Sequence, residues 1–167
     1  MLHNARRQLP ERFDAIDRRV VGFLHRYGDR AARWALAVVF IWFGLLKPLG
    51  VSPAAGLLMA TVDWVPFIAP ETMLHLIGWW EVAIGICLAA GGWSRVLVRV
   101  GLLLLALQMV GTFMPLFVIP GACFQEGRVP WAPTTEGQYI FKNLVIIAAA
   151  MVVGGNVRRD RPEAELR

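Results

Sequence analysis

The sequence predicts an all-α membrane protein: a bundle of four transmembrane helices with an N-terminal amphipathic interfacial helix. Three observations carry this reading. The 167 residues are 57% hydrophobic and only 17% charged, with a mean hydropathy of +0.54. So apolar a chain of single-domain length cannot hide its surface in one small soluble core. Four apolar stretches approach the roughly 20 residues that a membrane-crossing helix needs. Fourteen arginines fall on one side of those stretches, against Arg128 alone on the other.

The first stretch runs from about Trp34 to Lys47 and ends at Pro48, borrowing upstream residues to reach full length. The second covers about Met73 to Gly92, the third about Val96 to Ile119, and the fourth about Gln138 to Val153. Helices are required, because open strand edges in lipid leave backbone groups unpaired. Pro115 lacks a backbone N–H and is expected to kink the third helix beside Thr112. Residues 33–155 form the transmembrane domain on this reading, flanked by a basic amphipathic segment, 1–32, and a basic tail, 156–167.

In the first segment Phe13, Ile16, Val20, Phe23, Leu24 and Tyr27 recur at helical spacing, with Asp14, Asp17, Arg18 and Arg19 opposite. Such a helix suits the inner leaflet, its arginines among anionic lipid headgroups. The positive-inside bias places both termini in the cytoplasm. The same bias explains a pI near 10.0 without nucleic acid, since no aromatic-basic stacking platform accompanies it. Residues 49–72 fit a short interfacial helix over the outer mouth, and residues 120–137 an ordered loop.

Ionisable groups at membrane depth are costly and are functional candidates by default. Three occur: Lys47, Glu81 and Lys142. Counting from the ends of the apolar stretches, Glu81 lies roughly 12 Å below the outer end and Lys142 about 7 Å. A pair between Glu81 and Lys142 is therefore expected, either as a packing device or as the centre of a polar pocket in the outer half of the bilayer. Lys47 also reads as a snorkelling cation at a helix C-terminus. Gln108, Thr112, Tyr139, Asn143 and His75 fall at a similar level, with Trp79 and Trp80 as stacking candidates. Gly78 and Gly85 flank Glu81 and allow close approach of a neighbouring helix.

Of the three histidines only His75 reaches the membrane, so neither haem nor metal is predicted. Cys87 reads as a small core hydrophobe. Cys123, in the outer loop, is a lone thiol with a redox role, a pairing in another chain or burial as a reduced thiol as alternatives. No phosphate-binding glycine loop or serine triad signature is present.

The segments Phe43-Gly44-Leu45-Leu46-Lys47, Trp80-Glu81-Val82-Ala83-Ile84-Gly85 with Leu88, and Glu136-Gly137-Gln138-Tyr139-Ile140-Phe141-Lys142-Asn143-Leu144 resemble the DoxX-like family of small four-helix membrane proteins. Relatives include the membrane subunit of thiosulfate:quinone oxidoreductase and the reactive-chlorine-resistance inner-membrane proteins. The resemblance covers about residues 33–155. It implies a multi-pass protein of the bacterial cytoplasmic membrane and, for some members, electron transfer from a sulfur compound to quinone.

The functional expectation is a quinone-interacting subunit of a membrane oxidoreductase system, with quinone as the cofactor. Glu81, Lys142 and Lys47 would be catalytic, and Gln108, Thr112, Tyr139, Asn143, His75, Trp79 and Trp80 would bind the ligand. Its partners would be membrane lipids, a soluble or membrane redox protein, and further copies of itself. Two alternatives stand beside it: a non-enzymatic scaffold for a redox or stress-response partner, and a pathway for a small solute or proton.

Overall fold

The computed structural model describes residues 11–157, whose regular secondary structure is helical apart from one isolated bridge between Phe124 and Pro133. The first ten residues and the basic tail from Arg158 onward lie outside the described residues. Seven α-helices follow in order: α1 Glu11–Leu46, α2 Ala55–Val62, α3 Pro70–Ala89, α4 Arg95–Phe113, α5 Pro115–Val118, α6 Pro120–Cys123 and α7 Thr135–Asn156. A 3-10 turn, Ala90–Gly92, extends α3.

Three segments are long and apolar enough to cross a membrane: Pro70–Gly92, Arg95–Val118 and Thr135–Asn156. These correspond to the second, third and fourth expected spans and suggest a membrane protein. The third is interrupted where the sequence places Pro115. α4 stops at Phe113, and α5 restarts with the proline at its first position, where no backbone N–H is needed.

α1 departs from expectation. The amphipathic segment and the first apolar stretch form one continuous helix, so the expected boundary near residue 32 is not a break in the backbone. Its apolar part, Trp34 to Leu46, spans about 20 Å, less than the ~30 Å hydrocarbon core. Extending it inward brings in Asp29, Arg30 and Arg33. The structure gives Arg33 a local role: its guanidinium donates to the carbonyls of Leu88, at 2.6 Å, and Ala89, at 3.2 Å. Carbonyls in the last turn of a helix carry partial negative charge and lack intrahelical donors, so this cation both caps α3 and ties α1 to it.

α1 and α3 share the most extensive contact of the bundle, and small residues make it so. A Cβ added at Gly44 would sit 2.8 Å from the Gly78 carbonyl oxygen, and one at Gly78 would sit 2.8 Å from that of Gly44. Gly85 meets Ala37 and Ile41 in the same way. Close backbone approach replaces side-chain interdigitation here. Around this seam a core forms from Leu36, Ala37 and Phe40 of α1, Ile84 and Leu88 of α3, Val98, Leu105 and Met109 of α4, and Val153 of α7.

At the opposite end from Arg33, a second cluster gathers Cys123, Phe124 and Ile140 with Leu57, Phe113 and Leu116. It joins α2, α5, α6 and the start of α7 into a cap, so the expected short helix within residues 49–72 is present as α2. Thr134 secures the cap: its hydroxyl donates to the Ala122 carbonyl at 2.7 Å and accepts from the Gly137 amide at 3.2 Å, N-capping α7.

Candidate functional site

α1 ends opposite Gly78, so the N-terminal part of α3 continues past it beside α2. Lys47, one residue beyond α1, packs its Cβ against Gly78, while Glu81 lies one turn further along α3 with its Cβ against Gly44. Each helix therefore carries a glycine three residues before its ionisable group. The missing side chains let two charged residues approach within a seam otherwise closed by backbone.

The Lys47 amine donates to the Glu81 carboxylate in an ion pair whose side chains are 8% and 14% exposed. Lys47 also reaches the Phe43 carbonyl at 3.4 Å. From α4 the Gln108 amide donates to the other Glu81 oxygen at 3.1 Å. Thr112, one turn beyond, donates its hydroxyl to the Gln108 backbone carbonyl at 3.0 Å. The result is a three-helix network of cation, carboxylate and amide. Buried charges need such pairing, since an isolated one costs many kcal/mol in a medium of low polarity.

The expected partner of Glu81 is corrected. Lys142 is exposed on α7, and its amine lies 4.8 Å from the centroid of the Tyr139 ring in a cation–π contact. Glu81 is instead paired with Lys47, which reaches it because α1 ends at its level. The membrane-length segment begins at Pro70, which puts Glu81 eleven residues from either end, about 16 Å from each. The carboxylate is at mid-span.

The remaining expected ligand-binding residues do not converge. Asn143 donates to the Tyr139 and Ile140 carbonyls of its own helix, each at 3.1 Å, which satisfies the amide locally. Tyr139, His75 and Trp79 are exposed. Trp80 does face α4, with its indole N–H donating to the Leu104 carbonyl at 3.2 Å, one helical turn from Gln108. The arrangement thus comprises Lys47, Glu81 and Gln108, with Thr112 behind and Trp80 alongside.

Cys123 is fully buried in the cap, and its carbonyl accepts from the Thr134 amide at 2.9 Å. Burial, with a smaller contribution from Glu136, pushes its thiol above the ordinary value of 9.0. Of the alternatives the sequence leaves open for Cys123, this arrangement is a buried, reduced thiol. With Cys87 replaced by alanine, alkylation at pH 8 is expected to be at least about tenfold slower in the folded protein than after denaturation. Equal rates would show an accessible thiol. The stability gained from keeping this thiol neutral is complete below its ordinary value and falls away as pH rises through the folded one.

Two partners were not singled out in advance. Arg33 was read only as part of the inward-facing charge, although an arginine beside an apolar stretch is a ready cap for an antiparallel helix end. Gly44 enters the sequence reading only as part of the Phe43–Lys47 segment, although its spacing to Lys47 repeats that of Gly78 to Glu81.

No family model, curated protein or solved structure matches the chain.

Proposed function

We propose that the protein is a DoxX-like subunit of a quinone-linked membrane oxidoreductase system, with four spans and both termini on the cytoplasmic side of a bacterial inner membrane. α1 enters the bilayer as the first segment, with Arg33 and Lys47 both partnered by α3, and the turn after Lys47 together with α2 completes the crossing. The N-terminal half of α1 continues the same helix out of the bilayer, with Phe13, Ile16, Val20 and Phe23 all exposed.

The observation that carries the reading is the Lys47–Glu81–Gln108 network at mid-span. A quinone supplies a two-electron, two-proton acceptor soluble at that depth. The network's chemistry matches that of a quinone headgroup's partners: two nitrogen donors, Lys47 just past α1 and Gln108 on α4, converge on one carboxylate, and an indole lies a turn away. Lys47 and Gln108 would turn from Glu81 to a carbonyl oxygen, and Glu81 would hold the exchanged proton. Lys142 and Tyr139 would lie nearer the outer surface, outside this network. The electron donor, a reduced sulfur compound on the family resemblance, would be handled by a partner protein.

Titration of the detergent-solubilised chain with a short-chain quinone, followed by quenching of tryptophan fluorescence, tests this. Saturable binding is expected, weakened about tenfold or more in Glu81→Gln and Lys47→Met. Binding that is absent, or unchanged in both variants, would overturn the reading.

A second reading, a non-enzymatic scaffold, is favoured by the way these three side chains already satisfy one another. On that reading the apolar row on α1 docks a redox or stress-response partner. Polar substitutions at Phe13, Ile16 and Val20 would then abolish function, while joint neutralisation of Lys47 and Glu81 would leave it intact.

A further inference from the structure

Between α4 and α7, at the end of the bundle where α4 begins and α7 stops, lies an open groove of about 550 Å³ lined by Arg99, Leu102, Gly154, Gly155 and Val157. Two glycines leave the α7 wall bare. A Cβ at Gly155 would meet nothing within 4 Å, and one at Gly154 only Leu102, at 3.4 Å. The floor is thus apolar and accessible from the side, while the mouth carries one cation. Arg99 is exposed, and among the described residues no carboxylate pairs with it.

Depth selects the ligand. Arg99 is one turn inside α4, whose first residue is Arg95, which places it about 6 Å into the span. That level is the boundary between lipid headgroups and acyl chains. Basic recesses between helices at the cytoplasmic surface suit anionic headgroups. A guanidinium binds a phosphate through paired N–H donors. The N-terminus of α4 adds a favourable partial charge.

We propose that this groove is a binding site for an anionic glycerophospholipid. Its phosphodiester lies against Arg99, and its glycerol and first methylenes lie on Leu102, Gly154, Gly155 and Val157. A free phosphate would use the arginine alone and leave the apolar floor empty. The site takes its membrane depth from α4 and α7 as spanning helices and is independent of any quinone chemistry at Glu81.

The test uses the full chain in a neutral detergent, with phosphatidylglycerol or phosphatidylcholine added in mixed micelles and retained lipid counted by native mass spectrometry. The wild type is expected to retain phosphatidylglycerol about tenfold over phosphatidylcholine, and Arg99→Lys to keep part of that preference. Arg99→Gln should lose the preference. Gly155→Leu, which adds bulk where the structure has open space, should lose retention while the cation remains. Glycerol 3-phosphate and inorganic phosphate at millimolar concentration should displace nothing.

Equal retention of the two lipids by the wild type would overturn the proposal, as would undiminished retention by Arg99→Gln or Gly155→Leu. Displacement by glycerol 3-phosphate or inorganic phosphate would overturn it in favour of a soluble anion. Quinone titration of the same variants should be unchanged, which separates this site from the network at mid-span.

Discussion

Replacing Lys47 with methionine, or Glu81 with methionine, is expected to destabilise the protein by about 3–5 kcal/mol, whereas the double replacement recovers most of that loss. Each single change leaves one ionisable group in a seam closed by Gly44 and Gly78, with only part of its hydrogen bonding intact. After Lys47→Met, Glu81 retains the Gln108 amide. After Glu81→Met, Lys47 retains the distant Phe43 carbonyl. Removing both takes away the cost of burying charge, and two methionines are flexible enough to fill the vacated space. Reversible unfolding in detergent, followed by circular dichroism, measures the cycle. Single variants within about 0.5 kcal/mol of wild type would mean that water reaches the pair.

The double variant also separates the functional readings. A protein of restored stability that no longer binds quinone would assign the pair a role beyond packing. Retained biological function in the same variant would favour the scaffold, because a docking surface on α1 does not need the buried charges. Stability and binding therefore have to be read on the same sample.

Three of the helices were legible because length, hydropathy and proline position act locally. The Pro115 interruption and the short α2 follow from the residues inside each element, whereas α3 starts at Pro70, three residues before the expected Met73. The ionisable residues were legible as a group, since charge in an apolar run is conspicuous. Their pairing was not. Which cation meets Glu81 depends on the level at which α1 stops relative to α3, and that register is set by glycine contacts between distant parts of the chain. Lys142 has the reach for such a pair, but its helix turns it toward Tyr139 and the exterior. The continuity of α1 was hidden for a different reason: charged residues around Arg33 look like the end of a span until the carbonyls of α3 are seen to receive one of them.

Gly78→Ala and Gly44→Ala are each expected to cost about 1–3 kcal/mol, the range for forcing atoms into a close-packed seam. Glycine in a helix interior usually gains from replacement by alanine, by about 0.5–1 kcal/mol. That gain should appear at Gly111, in α4, where an added Cβ meets nothing within 4 Å. At Gly78 the new atom would meet the Gly44 carbonyl oxygen at 2.8 Å and the Lys47 Cβ at 2.9 Å, and at Gly44 it would meet the Val82 amide nitrogen at 2.9 Å. Backbone atoms cannot rotate away as the end of a side chain can, so α1 and α3 must separate. Separation lengthens the reach of Lys47 to Glu81, so the alanine variants should lose stability and quinone binding together. Unfolding midpoints for the three variants decide the matter. Gly78→Ala behaving like Gly111→Ala would show that α1 and α3 do not approach through their glycines, and the ion pair would then lose the geometry that lets Lys47 reach Glu81.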